Sequence, residues 1–429
     1  MKKYDTYKDS GIQWIGQIPA GWKISKLKYI SKFINGFAFA SNLFSPDEGC
    51  KVIRIGDICQ TIDYNSCIRA KIDASIVGQY RIHENDVLVA MSGATTGKSC
   101  LVNSIEEAYI NQRVGIIRSP SYKFIHYMLN IPSFYQYIML NNAGSAQPNI
   151  SSTAIEDYQI PLPPLSEQQA IVEFLDKKTG EIDKAISLFE QEKLDLLAYR
   201  KAIISETVTK GLNPNAKLKD SGIQWIGQIP EEWSVRKCSR VFDTIGSGQT
   251  PKSDKPIYYS EAGYNWLQTG DLNDSLISNT SKKISEEAMQ DYNLTQYPVE
   301  SVVVAMYGAT IGKIGYLQIE TTTNQACCVL NSKSVMRNKY AYYVFLSAKT
   351  ELINMSNGGG QPNISQSIIR NFIIPLPPLS EQEAIVAFLD KKTSDIDTAI
   401  ERIKSQITEL QAYRTALISE AVTGKIDVR

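Results

Sequence analysis

The sequence predicts an α+β fold in which two mixed α/β globular domains are joined by two long antiparallel helices that form an intramolecular coiled coil with a pseudo-two-fold relation. One observation is an internal repeat, because DSGIQWIGQIP at 9–19 recurs at 220–230 and PLPPLSEQ at 161–168 recurs at 375–382. The other is a seven-residue apolar period after each PLPPLSEQ segment, which is typical of a coiled coil. Two collinear copies in one chain indicate a homodimer-like arrangement, so we expect the two chain ends to lie close together.

Each copy divides into a globular region and a helical region. The globular regions are predicted at 1–160 and 215–374, and the helical regions at 161–214 and 375–429. Short β-branched runs such as DVLVAMSG and SVVVAMYG end at Gly and predict strands. The stretches SYKFIHYMLNIPSFYQYIML and NKYAYYVFLSAKTELINMS have helical apolar spacing. Each globular region is therefore expected to mix strands and helices.

Each helical region is predicted to start directly after its PLPPL segment. Ser166 stands there with Gln169 three residues later, and Ser380 with Glu383 in the second copy, which predicts a capping box at both helix starts. A helix of about 40 residues would span roughly 60 Å. The residues predicted to pair the two helices fall seven apart in each copy: Leu175, Ile182, Phe189, Leu196 and Ile203, then Leu389, Ile396, Ile403, Leu410 and Leu417.

Composition places the chain among globular proteins, because 43% of its 429 residues are hydrophobic and 21% are charged. The net charge of +0 excludes a basic tail or an acidic disordered chain. The two globular regions carry balances of +3 (16 basic, 13 acidic) and +1 (15 and 14), whereas each helical region carries −2 (7 and 9). Slightly basic globular regions permit contact with nucleic acid, and the acidic helices favour protein partners.

The chain start has no apolar signal segment, and no run of 18 apolar residues occurs, so we expect neither secretion nor membrane insertion. The seven cysteines form no CxxC pair, which predicts reduced thiols, a cytoplasmic location and no metal site. Two histidines are too few for a His-based catalytic pair in each half. No GxSxG, HExxH or [DN]PP[YF] motif is found, and no catalytic residue is predicted.

A glycine-rich turn follows one predicted strand in each copy, GATTGK at 93–98 and GATIGK at 308–313. Its two glycines enclose three residues rather than the four of a P-loop, and Ile314 replaces the Ser or Thr that binds magnesium, which argues against ATP binding. Such turns can still present backbone N–H groups and lysine to a phosphate. A purely structural hairpin turn remains the alternative.

Three further segments contain candidate DNA contacts. Paired amides follow each turn, and amides suit bidentate recognition of adenine, with backbone capping as the alternative. QPNIS occurs at 147–151 and 361–365, where N-capping is the alternative. The loops at 35–50 and 246–264 differ although their flanks agree, which indicates two readers of different targets or drift. The candidates are Thr95, Thr96, Lys98, Asn111, Gln112, Gln147, Asn149, Ser151, Thr250, Lys252, Thr310, Lys313, Asn324, Gln325, Gln361, Asn363 and Ser365. Asp57 and Asp271 are predicted to cap turns.

The whole chain resembles the specificity subunit of Type I restriction–modification systems. Two divergent domains are each followed by a signature, IPLPPLSEQQAIVEFLD or IPLPPLSEQEAIVAFLD, and a long helix. The resemblance implies two target recognition domains that each read half of a bipartite, gapped site in double-stranded DNA. It implies that the paired helices set the gap and dock two methyltransferase subunits. Because base-contacting residues vary with the target in this family, none is transferred to this chain.

The resemblance also implies that the chain is a non-catalytic subunit without a cofactor of its own. An adenine-specific DNA methyltransferase subunit would use S-adenosylmethionine, and a motor-nuclease subunit would supply ATP- and Mg²⁺-dependent cleavage. The alternatives are a specificity subunit of a methyltransferase-only complex, a coiled-coil scaffold that does not bind DNA, and a nucleotide-dependent enzyme.

Overall fold

The computed structural model describes residues 2–59, 61–103, 106–142, 148–356 and 363–429. The chain forms two compact units, here called unit 1 (Met1–Phe189 with Lys404–Arg429) and unit 2 (Glu190–Ile403). Each long helix is thus shared, with one part in each unit. No helix within the described ranges is both long and apolar enough to cross a membrane.

The first copy contains short strands followed by helices and a final strand before the long helix. Its strands are β1 (Tyr7–Asp9), β2 (Gln17–Pro19), β3 (Lys23–Lys26), β4 (Lys32–Asn35), β5 (Phe44–Ser45), β6 (Cys50–Ile53), β7 (Arg69–Ala70), β8 (Val87–Ala90), β9 (Ser99–Leu101), β10 (Ala108–Ile110), β11 (Val114–Arg118) and β12 (Gln159–Leu162). Its helices are α1 (Ala74–Val77), α2 (Tyr122–Leu129), α3 (Pro132–Leu140), α4 (Ser152–Glu156) and α5 (Leu165–Lys210).

Two four-stranded sheets form the body of unit 1. One is antiparallel with the order β4-β11-β8-β9, and the other has the order β10-β6-β7-β5 with β10 and β6 parallel. All four residues of β8 are buried because both faces of its sheet are covered. Val87 and Val89 enter one hydrophobic core, and Leu88 and Ala90 enter another. Successive side chains of a strand point to opposite faces, which explains the uninterrupted apolar run.

The second copy repeats this order of elements. Its strands are β13 (Leu218–Asp220), β14 (Gln228–Pro230), β15 (Ser234–Lys237), β16 (Thr244–Gly246), β17 (Tyr259–Leu267), β18 (Ser275–Ile277), β19 (Lys282–Ile284), β20 (Val302–Ala305), β21 (Ile314–Leu317), β22 (Thr322–Thr323), β23 (Cys327–Asn331) and β24 (Ile373–Leu376). Its helices are α6 (Glu286–Asp291), α7 (Asn338–Asn354), α8 (Gln366–Asn371) and α9 (Leu379–Val422).

In unit 2 the larger sheet has the order β16-β23-β20-β21-β18, and a smaller one has the order β19-β17-β22. The central strand β20 again divides its side chains between two cores, with Val302 and Val304 in one and Val303 and Ala305 in the other. The two units therefore use the same construction, as the repeat predicts.

The helical stretch predicted near 121–140 forms two helices, because α2 ends at Leu129 and α3 starts at Pro132. Proline has no backbone N–H and is favoured at the first helical position, so it starts a new helix here. The matching stretch of the second copy has no proline and forms the single 17-residue helix α7.

The two long helices pair antiparallel in both units. In unit 1, Asp183 of α5 forms an ion pair with Arg414 of α9, with an Nε–Oδ1 distance of 2.9 Å. In unit 2, Arg200 of α5 pairs with Asp397 of α9 at 3.2 Å. The early part of α5 thus meets the late part of α9, and the late part of α5 meets the early part of α9.

The residues predicted to pair these helices differ in burial. Leu175 and Ile182 of α5 are buried, whereas Phe189, Leu196 and Ile203 are half-buried. On α9, Leu410 is half-buried, and the other four predicted residues, Leu389, Ile396, Ile403 and Leu417, are buried.

The predicted capping box is wrong, because α5 starts at Leu165 and Ser166 lies inside its first turn. The backbone N–H groups of Glu167 and Gln168 donate to the carbonyl of Pro164, at 2.9 Å each, so Pro164 holds the N-cap position. The helix α9 likewise starts at Leu379, before Ser380, and Pro378 holds its N-cap position.

The two chain ends meet in unit 1, as the repeat predicts. The backbone N–H of Asp427 donates to the carbonyl of Lys2 at 2.9 Å. The ammonium of Lys425 donates to the carbonyls of Ile15 and Gln17, at 2.9 and 2.5 Å. The end of α9 is thereby joined to the first copy of DSGIQWIGQIP.

Candidate nucleic-acid interface

The glycine-rich turn of unit 1 closes the hairpin between β8 and β9. The N–H of Gly97 donates to the carbonyl of Ala90 at 2.8 Å, and the N–H of Ala90 donates to the carbonyl of Lys98 at 2.9 Å. Gly93 and Gly97 have φ angles of 76° and 85°, a left-handed conformation that favours glycine. A P-loop leads into a helix, whereas this turn leads into a strand. The turn geometry therefore supports the hairpin interpretation.

Two other segments join this turn through the backbone. The N–H of Gly93 donates to the carbonyl of Pro148 at 2.9 Å. The N–H of Met91 donates to the carbonyl of Arg113, and the N–H of Ile150 donates to the carbonyl of Met91, both at 2.9 Å. The three candidate segments of the first copy, distant in sequence, thus form one continuous surface region of unit 1.

The candidate side chains of this region differ in accessibility. Lys98, Gln112, Asn149 and Ser151 are exposed, Asn111 and Thr95 are half-buried, and Thr96 is buried. The hydroxyl of Thr96 donates to the carbonyl of Gly93 at 2.7 Å and lies 3.1 Å from that of Pro148. Gln147 lies outside the described residues.

Local capping accounts for two of these side chains. The Oδ1 of Asn111 accepts from the N–H of Gln112 at 2.8 Å, and the Oγ of Ser151 accepts from the N–H of Ala154 at the start of α4 at 3.1 Å. The guanidinium of Arg113 reaches Oδ1 of Asn149 at 3.4 Å. The side chains of Gln112 and Lys98 are exposed, and Asn149 is exposed as well although Arg113 contacts its Oδ1.

Unit 2 repeats the three-segment arrangement. The N–H of Gly312 donates to the carbonyl of Ala305 at 2.9 Å, that of Met306 to Ala326 at 2.8 Å, and that of Ile364 to Met306 at 2.7 Å.

The candidates of unit 2 also divide between exposed and occupied groups. The ammonium of Lys313 donates to Oδ1 of Asn273 at 3.0 Å, unlike the exposed Lys98 of unit 1. The hydroxyl of Thr250 donates to Oε1 of Gln325, and Ser365 caps α8 by accepting from the N–H of Ile368 at 3.2 Å.

The remaining candidates of unit 2 complete this pattern. Oδ1 of Asn324 accepts from the N–H of Ala326 at 3.1 Å, and the backbone N–H of Lys252 donates to the hydroxyl of Tyr292 at 3.0 Å. Lys252 and Asn363 are exposed, whereas Thr310 is half-buried. Gln361 lies outside the described residues.

The predicted caps at Asp57 and Asp271 are confirmed. The carboxylate of Asp57 accepts from the N–H of Arg54 at 2.8 Å, and that of Asp271 accepts from the N–H of Gln268 at 2.9 Å. These two aspartates hold matching turns in the two units and are used within the backbone framework.

The divergent loops are built on a shared framework that their sequences do not reveal. A Cβ atom at Gly49 would lie 2.0 Å from the carbonyl oxygen of Ala70, and one at Gly263 would lie 2.0 Å from that of Ile284. Both loops therefore require glycine where they pass over a neighbouring strand. The two loops differ in sequence, but each passes close to a neighbouring strand at a glycine in the matching position.

Unit 2 contains a basic groove that the sequence reasoning missed. It has a volume of about 740 Å³ and lies beside the antiparallel pair β17–β19. The register of this pair shifts between Tyr259 and Tyr264, so the intervening residues bulge from the strand. The groove is lined by Ser253, Tyr259, Ser260, Glu261, Asn279, Thr280, Ser281, Lys282 and Lys283.

Lys282 and Lys283 outnumber Glu261 among the lining residues, so the groove carries a small positive charge. Lys282 is exposed and Lys283 is half-buried, and no carboxylate in the described part of the chain forms an ion pair with either. The signal in the sequence was the adjacent lysine pair, but only the strand pairing places it beside the variable loop at 246–264.

The described ranges hold no group of three or more His, Cys, Asp or Glu side chains arranged for a metal ion. The surface regions above offer amides, hydroxyls and ammonium groups. Such groups suit hydrogen bonding to base edges and phosphates.

Comparison with known proteins shows that most of the chain matches one protein family. Residues 19–189 and 230–409 match the family model described as Type I restriction modification DNA specificity domain. The chain is similar to the Type I restriction enzyme EcoBI specificity subunit of Escherichia coli, with 24% identity over 97% of this chain and 89% of that one. It is also similar to the Type I restriction enzyme MjaVIII specificity subunit of Methanocaldococcus jannaschii, with 25% identity over 81% of this chain and 80% of that one.

Solved structures share the fold. One similar structure is described as the structural basis of complex assembly and conformational transition of the type I R-M system. It has a TM-score of 0.74 at 19% identity, and the match covers 94% of this chain and 98% of that one. The crystal structure of the HsdS subunit from Thermoanaerobacter tengcongensis has a TM-score of 0.53 at 18% identity, covering 95% of this chain and 98% of that one.

Proposed function

The chain belongs to the family of the Type I restriction modification DNA specificity domain, of which it carries two copies, and from this premise we propose that each globular domain reads one half of a bipartite, gapped DNA target. DNA recognition is the function of this family, and the repeated three-segment surface is the observation that carries the proposal. One framework carrying two different loops suits two readers with different half-sites. The proposed target recognition domains are 1–160 and 215–374.

The exposed polar groups of each surface suit different parts of the duplex. Amides such as Gln112 and Asn149 can pair with adenine edges in the major groove. Lysines such as Lys98 and Lys252 suit phosphates, which fix register without reading sequence. In unit 2, β17 and β19 form the antiparallel part of the smaller sheet, and the major groove admits an antiparallel pair of strands. We assign the phosphate contacts beside this ribbon to Lys282 and Lys283.

The remaining parts of the proposal concern partners. The helical regions 161–214 and 375–429 set the gap between the half-sites and dock two methyltransferase subunits, which use S-adenosylmethionine to methylate a flipped adenine. Motor-nuclease subunits supply ATP- and Mg²⁺-dependent cleavage. This chain contributes sequence recognition without chemistry or a cofactor of its own, in the cytoplasm. The methyltransferase-only, scaffold and nucleotide-dependent alternatives are not favoured by the relatives, which are specificity subunits of restriction enzymes.

The groove can be tested by counting phosphate contacts. The chain, in complex with its methyltransferase, is titrated with duplex DNA carrying its target over a range of salt concentrations. Replacing Lys282 and Lys283 by alanine should weaken binding to all sequences alike. The slope of log K against log salt should become shallower by about 2, because each lost phosphate contact changes it by about 0.9.

A matched control is available in the same unit. Lys391 and Lys392 are an adjacent, exposed lysine pair on α9, and their replacement by alanine removes the same charge from the helical region. This control should leave the slope unchanged. Equal slopes for both double variants and the unmodified chain would remove the groove from the interface. A wild-type complex that binds no DNA would overturn the proposed function itself.

A further inference from the structure

The same six polar residues recur in each unit where a helix of the globular domain packs on a long helix. They are here called the anchor cluster. In unit 1 it consists of Lys123, Tyr127, Asp176, Thr179, Asp183 and Arg414. In unit 2 it consists of Lys339, Tyr343, Asp390, Thr393, Asp397 and Arg200.

In unit 1, α2 is joined to α5 through one carboxylate. The hydroxyl of Tyr127 donates to Oδ1 of Asp176 at 2.7 Å, and the ammonium of Lys123 donates to Oδ2 at 2.6 Å. Thr179 lies 3.4 Å from the same hydroxyl and is 5% exposed. Burial raises the pKa of Tyr127 to about 12, so its hydroxyl keeps the proton that it donates. Both oxygens of Asp176 are therefore occupied by groups from the globular domain.

Unit 2 repeats these contacts between α7 and α9. The hydroxyl of Tyr343 donates to Oδ1 of Asp390 at 2.5 Å and lies 3.3 Å from Thr393. The ammonium of Lys339 lies 3.5 Å from the same carboxylate oxygen and 4.6 Å from the ring centre of Tyr316. Burial also raises the pKa of Tyr343.

An arginine from the opposite copy completes each cluster. Asp183 lies two turns after Asp176 on α5 and pairs with Arg414 of α9, through Nε at 2.9 Å and Nη2 at 3.4 Å. In unit 2, Asp397 of α9 pairs with Arg200 of α5 at 3.2 Å. Each globular domain is thereby bonded to one long helix, and that helix is paired two turns later with the other long helix of the same unit.

Hydrophobic packing alone does not explain this repetition. The helices that supply Lys and Tyr differ in length, 8 residues in α2 and 17 in α7, and the residue before the tyrosine is His126 in one and Tyr342 in the other. Apolar burial between these elements holds them together without direction. Hydrogen bonds and ion pairs depend on angle and distance, so the preserved polar groups specify one orientation.

We propose that the anchor clusters are positioning elements that fix the orientation of each recognition domain on the helix pair, and so restrict the complex to one gap length between half-sites. This inference rests on the proposed function. The six residues touch no base in this scheme. They act through the domain that they hold, and their loss loosens the accepted gap without changing the half-sites.

The test measures gap discrimination with the full complex. The target is first defined by methylome sequencing of a host with and without the gene. Duplexes carrying both half-sites are then made with the native gap and with gaps changed by about one and two base pairs. The variant combines Tyr127→Phe and Asp176→Asn with Tyr343→Phe and Asp390→Asn. Glu181→Gln is the control, because among the residues that the structure describes the ion pair of Glu181 is with Lys178, on the same exposed helix face, at 2.8 Å.

The unmodified complex should prefer the native gap. In the cluster variant the ratio of affinities for native and altered gaps should fall by about tenfold, because several directional bonds are lost. Affinity for a duplex with one half-site should change by less than about twofold. The control should retain full discrimination. If the combined variant does not unfold cooperatively, the unit 1 pair of substitutions alone should still broaden the accepted gaps.

Three results would count against these proposals, and they differ in which proposal they overturn. Unchanged gap discrimination in a folded cluster variant, with normal bipartite binding by the unmodified complex, would overturn the positioning role alone. Failure of the unmodified complex to recognise any bipartite target would overturn the proposed function, and this inference with it. A change in the half-sites themselves would also contradict the inference, because it would make the cluster part of base reading.

Discussion

The ion pair between Asp86 and Arg118 connects the start of β8 to the end of β11 and gives a measurable test of how unit 1 is held together. Asp86 is 1% exposed, and its carboxylate accepts two hydrogen bonds from the Arg118 guanidinium, both at 2.7 Å. It also accepts from the backbone N–H of His83 at 2.7 Å. Asp86→Ala therefore leaves the backbone N–H of His83 without this acceptor and, among the described residues, leaves the guanidinium with only the carbonyl of Arg81, at 3.4 Å.

In the second copy, two uncharged residues connect the matching strand ends. Ser301 precedes β20, Asn331 ends β23, and the amide of Asn331 donates to the hydroxyl of Ser301 at 3.1 Å. Transplanting this pair, as Asp86→Ser with Arg118→Asn, removes both charges together. Replacing both partners of a buried pair costs less than removing one, because no charge is left unpaired.

The expected magnitude follows from burial. Removing one partner of a buried ion pair costs about 3–5 kcal/mol. Arg118 keeps 34% of its side-chain exposure, so water offsets part of this cost. The unpaired N–H of His83 adds about 1–3 kcal/mol. Taking both costs at the low end of their ranges, and reducing the ion-pair cost by about a third for the exposure of Arg118, we expect Asp86→Ala to lower the local stability of unit 1 by about 3 kcal/mol. The transplanted pair should lower it by about 1 kcal/mol.

Native-state amide hydrogen exchange measures this within one molecule. Protection in β8 and β11 should fall by roughly 100-fold in Asp86→Ala, since 1.4 kcal/mol corresponds to about tenfold. The amides of β20 and β23 in unit 2 provide the internal reference and should keep their protection. Unchanged protection of β8, or a transplanted pair as damaging as the single substitution, would refute this reasoning.

Two further substitutions have expected effects on stability. Glu300 has a φ of 66°, a left-handed conformation that asparagine tolerates better than glutamate, and Asn85 holds the matching position of the first copy at 71°. Glu300→Asn should therefore raise the free energy of unfolding by about 0.5–1 kcal/mol. A lower urea midpoint for this variant would contradict the prediction. Burial, aided by the charge of Arg414, lowers the pKa of His126 from 6.5 to about 4. Between these values the unfolded chain binds a proton that folded unit 1 does not, so stability should fall as pH drops through this window. His126→Gln should flatten that fall in urea titrations at about pH 7 and about pH 4.5, whereas parallel pH profiles would exclude His126 as its source.

The fold was predictable where the sequence repeats or keeps a simple period. The seven-residue period and the two PLPPLSEQ segments specified the long helices, and the VLVA run specified a buried strand. The capping box failed because the carbonyl of Pro164 accepts the first helical hydrogen bonds, which places Ser166 two residues past the N-cap position. The seven-residue period also did not show which of the residues predicted to pair the helices are fully buried. Phe189 fits the pattern as well as Leu175, yet only Leu175 is fully buried.

The sequence predicted which segments form the candidate site, but not the burial or the hydrogen-bond partners of their side chains. Lys98 and Lys313 occupy the same place in matching turns, yet Lys313 is hydrogen-bonded because Asn273 arrives from a distant loop. Thr96 looked available in the sequence, and its hydroxyl is used inside the turn. The DNA contacts of these residues stay predictions. Lys282 and Lys283 belong to no recognisable motif. Their position beside a variable loop depends on the pairing of β17 with β19, which the sequence did not predict.

Methylome sequencing of a host with and without this gene tests sequence recognition by the chain most directly. With the gene and its methyltransferase present, we expect adenine methylation at a two-part motif with a fixed gap, and its loss when the gene is deleted. Exchanging residues 246–264 for the matching loop of a related chain should change one half of the motif and leave the other half intact. A methylation pattern that is the same with and without the gene would contradict the assignment of this chain as the reader of DNA sequence.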